Sequence, residues 1–312
     1  MPRAAMIGAG LIGRSWAIVF ARAGWEVAIY DTADGAAERA LGLIAQGIAD
    51  SVGQGLAQEP EPDAAIRRVR IAADLADALA GAEFVQESLP EDVELKQAMF
   101  RELDRHAARD AILVSSTSTI VASRFTEALP GRGRCLVAHP VNPPHLLPLV
   151  ELVGAPWTAP EAVAKAKAIY EAVGQVPIVV NHEVDGFILN RLQAALLSEA
   201  FRLVGEGYVS PQDCDKTLKD GLGLRWSFMG PFETIELNAP GGIPDYCARY
   251  GASLGRLQGG MGGPEVYARD NVERILAQWP EAPTPDRIAR RMAWRDRRLA
   301  ALRAHKGSQA EA

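Results

Sequence analysis

Gly8-Ala9-Gly10-Leu11-Ile12-Gly13 decides the fold. The apolar run Ala4–Ile7 leads into it, and Leu11–Ala23 leaves it with a helical pattern that stops near Gly24. Glu26–Tyr30 reads as a second strand and ends at Asp31. Strand, glycine turn, helix, strand and acid make a complete βαβ unit. Each glycine has a physical task. Gly8 allows the tight turn out of the strand, Gly10 lets the backbone approach a pyrophosphate, and Gly13 permits close helix-on-strand packing. The helix opening at Leu11 and Ile12 points its positive end at the phosphates. Asp31 stands 18 residues past Gly13 (31 − 13) and can accept hydrogen bonds from both ribose hydroxyls. It would repel a 2′-phosphate, which predicts NAD rather than NADP. The competing reading makes Asp31 a cap on the following turn.

Beyond this unit the α/β pattern continues. A long Ala-rich helix is expected to break around Pro60 and Pro62. Short runs rich in Val, Ile and Leu follow at Phe84–Gln86, Ala111–Ser115, Arg134–Ala138 and Leu147–Leu152, with Ile178–Val180 as a last strand. From Val184 the pattern turns helical. In Gly186–Glu206, Ile188, Leu192, Ala195 and Leu203 mark one apolar stripe, and Ala194, Leu197, Phe201 and Val204 a second, so burial on two sides is expected. Ser210-Pro211 caps and opens the next helix, which Gly221 and Gly223 are expected to end. Gly255–Gly263 holds five glycines and reads as a mobile loop or, more simply, a linker. The basic tail Arg287–Lys306 reads as a helix packed by one face. The expected fold class is α/β. A Rossmann-like domain is expected over 1–182 and an all-helical domain over 183–312.

The 312 residues are 48% hydrophobic and 23% charged, ordinary values for a soluble globular enzyme. A net charge of −6 argues against nucleic acid or an anionic membrane as a partner. Cys135, Cys214 and Cys247 are widely spaced, which fits a reducing compartment and leaves no zinc signature, so no metal is expected. No apolar run reaches membrane-spanning length, and the first strand begins within a few residues of Met1 without a signal or transit peptide. The expected location is the cytoplasm.

The chemistry is carried by His139-Pro140-Val141-Asn142-Pro143-Pro144, with Glu151 12 positions after the histidine (151 − 139). A neutral histidine can take the proton of a secondary alcohol as hydride leaves its carbon. His139 follows the run Cys135–Ala138 and should sit at the carboxyl end of a strand, where ligands of doubly wound sheets bind. Glu151 lies in an adjacent strand expected to be antiparallel. Paired with His139, it would fix the imidazole tautomer and stabilise imidazolium. Each residue alone reads as structural, a turn histidine and a solvent-facing strand acid; the pair carries the argument. Ser115-Ser116-Thr117-Ser118-Thr119 offers hydroxyl donors to a substrate oxygen or, equally, a helix N-cap cluster. Asn190 heads an apolar helix stripe, where its amide needs partners.

Together these residues resemble the 3-hydroxyacyl-CoA dehydrogenase superfamily over nearly the whole chain. The superfamily pattern of Ser, then His and Asn, then Glu, then Asn is matched by Ser118, His139, Asn142, Glu151 and Asn190. The resemblance implies His139 as base, Glu151 as its partner, and Ser118 and Asn190 on the reacting oxygen, with Asn142 also at the substrate. It implies Glu91 and Lys96 near the nicotinamide and its ribose, and a homodimer formed through the helical domain. Within the superfamily, Gly13-Arg14-Ser15-Trp16, His139–Pro144 and the stretch from Glu183 to Arg191 are most similar to the lambda-crystallin and L-gulonate 3-dehydrogenase branch. Carnitine 3-dehydrogenases share the Leu224-Arg225-Trp226 stretch. Gulonate and carnitine are free 3-hydroxy carboxylates, and a guanidinium at Arg225 fits a carboxylate with two parallel hydrogen bonds. The expected reaction is NAD-dependent oxidation of the C3 hydroxyl of such an acid, L-gulonate first and carnitine second. Third is an acyl-CoA substrate, for which the helical-domain stretch differs. A crystallin-like structural role would need neither His139 nor Glu151. A decarboxylating hydroxyacid dehydrogenase would use a catalytic lysine.

Overall fold

Ala4 and Met6 pack on one face of a sheet and Ala5 and Ile7 on the other, so their run is apolar throughout. They belong to β1 (Arg3–Ile7), which lies inside a sheet of order β3-β2-β1-β4-β5-β6-β7-β8. The computed structural model describes residues 1–56, 62–279 and 284–309. Pro60 lies outside them. The remaining strands are β2 (Glu26–Tyr30), β3 (Val69–Ile71), β4 (Phe84–Glu87), β5 (Ile112–Ser115), β6 (Cys135–Pro140), β7 (Leu149–Gly154) and β8 (Val176–Val180). Neighbours are parallel except β6 and β7, so β7 and β8 run against the rest. The short β3 had no sequence signal of its own.

Helices cover both faces: α1 (Leu11–Arg22), α2 (Ala36–Gly53), α3 (Pro62–Ile66), α4 (Leu75–Leu79), α5 (Val93–His106), α6 (Ser123–Thr126) and α7 (Pro160–Ala172). Trp16 and Phe20 of α1, Ile44 and Ile48 of α2 and Tyr170 of α7 build one core. Phe100 and Leu103 of α5 join Phe125 of α6 in the other. Burying each such side chain contributes about 1.5–3 kcal/mol. The chain leaves β1 toward β2 and β3, then returns to the opposite side of β1 with β4. That reversal opens a crevice beyond the carboxyl ends of β1 and β4, the place where doubly wound sheets bind their ligands.

Residues Met1–Leu189 and Met292–Ala312 form one compact unit and Asn190–Arg291 a second. The second is helical: α8 (Leu189–Gly205), α9 (Pro211–Lys216), α10 (Gly223–Trp226), α11 (Pro231–Leu237), α12 (Gly242–Gln258) and α13 (Arg269–Ala277). The last helix, α14 (Pro285–Gly307), begins in the second unit and finishes in the first. The tail is therefore not confined to the helical domain in which an end-to-end division at 182 would place it.

Ser210 caps α9 as expected, its hydroxyl accepting from the Asp213 N–H at 3.1 Å. Gly221 and Gly223 do not end the helical run. A π-helical turn over Thr217–Leu222 absorbs Gly221, and Gly223 opens α10 directly after it. Gly255 lies inside α12, and Gly262 beyond it is held through both its carbonyl and its N–H. Ser198 donates to the Gly262 carbonyl at 2.5 Å and Glu199 accepts the Gly262 N–H at 3.1 Å. The expected two-sided burial of α8 is absent: only Val204 is buried in it, and Leu192 is 65% exposed.

Candidate active site

β1 is followed by Gly8, whose φ of +101° lies in the left-handed region. A Cβ at Gly8 would stand 2.8 Å from the Ser88 carbonyl oxygen, and one at Gly13 would stand 1.8 Å from the Gly8 carbonyl oxygen. Neither position admits a side chain. Gly10 differs, because a Cβ there would meet nothing within 4 Å. Gly10 is the N-cap of α1 and supplies no side-chain cap. Among the described residues the N–H groups of Leu11, Ile12 and Gly13 have no partner, so the first turn of α1 offers its donors to an anion. Asp31 accepts the Ala9 N–H at 2.7 Å on one oxygen and the Ala33 N–H at 2.9 Å on the other. It caps the turn after β2 and braces the glycine loop, with lone pairs left for ribose hydroxyls. Open space over Gly10, free donors and a carboxylate at the end of β2 fit a dinucleotide.

Two carboxylates tie the loops after β4 and β5 together. Glu87 and Lys96 are both fully buried, and the Lys96 ammonium lies 2.9 and 3.1 Å from the two Glu87 oxygens and 3.3 Å from the Leu89 carbonyl. Ser115 donates to Glu87 at 2.5 Å, and the Leu89 N–H donates to it at 2.6 Å. The Lys96 ammonium is thus held by the Glu87 carboxylate and the Leu89 carbonyl. This buried ion pair shapes the loop after β4, beside which the resemblance implies the nicotinamide ribose. Glu91 is exposed. It accepts the Thr117 hydroxyl at 2.6 Å and the Ser118 N–H, and so fixes the turn that carries Ser118.

His139 and Glu151 stand directly opposite each other in the antiparallel register of β6 and β7. His139 Nδ1 lies 2.7 Å from Glu151 Oε2, and the residues are 4% and 0% exposed. The other carboxylate oxygen accepts the N–H groups of Ile188 and Leu189 at 2.8 and 2.9 Å. Burial by itself raises the Glu151 carboxyl. The hydrogen bond from His139, those from Leu189 and Ile188, and the imidazole charge outweigh it and hold the group below its ordinary value. An ionised Glu151 accepts the Nδ1 proton, which leaves Nε2 as the basic nitrogen. Phe187 is fully buried, and its ring centroid lies 5.3 Å from that of the imidazole. Its φ of +48° is left-handed, strain of about 1–3 kcal/mol for a residue with a side chain. That turn delivers the next two N–H groups to Glu151.

Two family models match the chain: the 3-hydroxyacyl-CoA dehydrogenase NAD binding domain over residues 3–184 and the C-terminal domain over residues 186–259. The chain belongs to the 3-hydroxyacyl-CoA dehydrogenase family. It is 41% identical to a lambda-crystallin homolog of Rattus norvegicus, over 93% of this chain and 92% of that one. It is 36% identical to an L-carnitine dehydrogenase of Pseudomonas putida, over 98% of this chain and 94% of that one. Among solved structures it is similar to FHMPC 5-dehydrogenase, an NAD+-dependent dismutase, with a TM-score of 0.84, 28% identity and coverage of 99% and 100%. This member of the family is an oxidoreductase with NAD as cofactor.

Of the residues in the family pattern, Ser118 is half-buried in the turn after β5, and Asn142 is exposed in the loop after β6, where its peptide bond to Pro143 is cis. Together with His139 they lie at the carboxyl ends of adjacent strands. Asn190 lies in the first turn of α8 and Arg225 in α10, both in the second unit. Arg225 Nε is shielded from solvent and has no hydrogen-bond partner among the described residues. Gln86, Glu87 and Ser88, where β4 ends, carried no assignment from the sequence. Their one signal is a polar triplet closing an otherwise apolar strand. Among the described residues no group of three or more His, Cys, Asp and Glu could hold a metal ion, and no helix is long and apolar enough to cross a membrane.

Proposed function

We propose that the chain oxidises the C3 hydroxyl of a small free 3-hydroxy carboxylate, L-gulonate foremost, to the 3-keto acid. The carrying observation is the buried His139–Glu151 pair, with Nδ1 committed to the carboxylate and Nε2 available. In this reading Nε2 of His139 takes the hydroxyl proton. Glu151 stays ionised under two backbone N–H groups and stabilises the imidazolium. Ser118 and Asn190 donate to the substrate oxygen as its charge develops. Glu91 holds the Ser118 turn, and Asn142 joins the substrate contacts. NAD, when bound, supplies the hydride acceptor. Gly8, Gly10, Leu11, Ile12 and Gly13 hold its pyrophosphate, and Asp31 its ribose to the exclusion of a 2′-phosphate. Arg225 carries an unsatisfied guanidinium nitrogen and is assigned the substrate carboxylate.

The exposed apolar side chains of α8, Leu192, Leu196 and Leu197, support a homodimer in which a second copy covers them. The free cysteines Cys135, Cys214 and Cys247 support a cytoplasmic site of action. One observation favours carnitine as the alternative substrate. Trp226, Phe228 and Phe232 are 41%, 68% and 72% exposed, and aromatic faces attract a quaternary ammonium.

The test is NADH formation with L-gulonate, L-carnitine and 3-hydroxybutyryl-CoA side by side, His139→Ala serving as blank. L-gulonate turnover alone is the expected result. Preference for the thioester would overturn the free-acid reading. Arg225→Lys is expected to raise KM for the acid about tenfold and leave KM for NAD unchanged; an unmoved acid KM removes Arg225 from the site.

A further inference from the structure

A chain of buried hydrogen bonds runs from α7 to the cofactor crevice, and its direction can be worked out donor by donor. The Tyr170 hydroxyl is fully buried and lies 2.5 Å from Gln86 Oε1. It has no other acceptor among the described residues, so it donates there, and this fixes the Gln86 amide with nitrogen on the far side. Gln86 Nε2 then donates to Ser116 Oγ at 2.8 Å. Trp16 Nε1 can only donate, and it points to the same oxygen at 3.2 Å. With both lone pairs of Ser116 Oγ occupied, its own proton must pass to Ser88 Oγ, 2.9 Å away. Ser88 is thus an acceptor in the buried chain, and its own hydroxyl proton is left over.

That residue sits under the phosphate-binding turn. The Ser88 carbonyl oxygen is the atom that closes Gly8 to a side chain, and Ser88 Cβ is 3.6 Å from where a Cβ at Gly13 would be. Ser88 is half-buried, and among the described residues nothing accepts its proton. We propose that Ser88 is a further cofactor-binding residue, its hydroxyl donating to an oxygen of the nicotinamide-side phosphate or of the ribose attached to it. The network behind it is the device that keeps this proton facing the crevice. Tyr170 and Trp16 push donors inward from one end, so the only outlet is at the other. Such a contact adds to the backbone donors of α1 and lies at the reversal point of the strand order, between β1 and β4.

The experiment is a binding titration, independent of turnover, of wild type, Ser88→Ala and Ser88→Thr with NADH, ADP-ribose and AMP, the melting temperature of each protein being recorded. Ser88→Ala is expected to weaken NADH and ADP-ribose about tenfold, the size of a hydrogen bond to a charged acceptor. AMP, which lacks the second phosphate and ribose, should be unaffected, and Ser88→Thr should restore most of the affinity. Unchanged ADP-ribose affinity in Ser88→Ala overturns the proposal. So does an equal loss for AMP, which would mark general damage to the crevice. If Ser88→Ala melts too low to titrate, Ser88→Cys keeps the volume, replaces the strong donor with a weak one, and is read the same way.

Discussion

Glu151 has every oxygen lone pair that matters committed: one oxygen to His139, the other to two backbone N–H groups. Glu151→Gln keeps the size but offers an amide that can present nitrogen to Nδ1, which selects the wrong imidazole tautomer. The kcat for hydroxy-acid oxidation is expected to fall about 10²–10⁴-fold, with NADH affinity unchanged in a binding titration. A variant with near-wild-type kcat would remove Glu151 from the mechanism. The pair was legible in the sequence because two short strands joined by a proline-bound loop place residues 12 positions apart opposite each other. The pairing of Lys96 with Glu87 was not legible, because an acid closing an apolar strand gives no sign of which helix will answer it. Phe187 was equally hidden, since a left-handed φ at a non-glycine residue leaves no trace in composition.

At the scale of elements, the glycines of the first βαβ unit separate into two kinds. Gly13 is a packing glycine, where a Cβ would fall 1.8 Å from the Gly8 carbonyl and push α1 off β1. Gly13→Ala is expected to lose about 3 kcal/mol or more of stability along with cofactor binding. Gly10 is a ligand glycine, and a Cβ added there would have nothing within 4 Å. Gly10→Ala should cost only about 1 kcal/mol, the usual loss at an N-cap, while NADH affinity falls at least tenfold. Thermal melts and NADH titrations of the two variants check the contrast; equal destabilisation would contradict it. The strands of this unit were readable because residues buried on both faces give unbroken apolar runs. The three-residue β3, by contrast, is too short to show a period. Gly221 and Gly223 misled because a widened helical turn absorbs the first and the next helix opens on the second, so neither ends the run.

On the scale of the whole chain, the feature least visible in the sequence is the return of α14 to the first unit. Its basic pattern showed a helix with one packed face but not which surface received it. Arg303 of α14 donates to the His145 carbonyl at 3.0 Å and the Gly174 carbonyl at 2.8 Å, and Arg22 of α1 donates to the same His145 carbonyl at 3.0 Å. His145 belongs to the loop that connects the two catalytic strands, so the start and the end of the chain converge on it. Burial first, then the charges of Arg22, Arg14 and Arg303, push its imidazole down to about 4, with Asp296 opposing them. Its Nδ1 is buried without a partner among the described residues, beside a cavity of about 300 Å³. A folded value below the unfolded one means that the unfolded chain binds the proton more tightly. The stability held by neutral His145 is therefore complete above the ordinary histidine value of 6.5 and is lost as pH falls toward about 4. The shift corresponds to roughly 3 kcal/mol. His145→Phe keeps a ring against the cavity and removes the titration. Its melting temperature should fall less steeply than that of wild type between pH 6.5 and 4, the two curves converging or crossing on the acid side. Parallel curves over that range would show that protonation of His145 does not drive the acid limb, and that the grip of Arg22 and Arg303 on the backbone tolerates a charged imidazole.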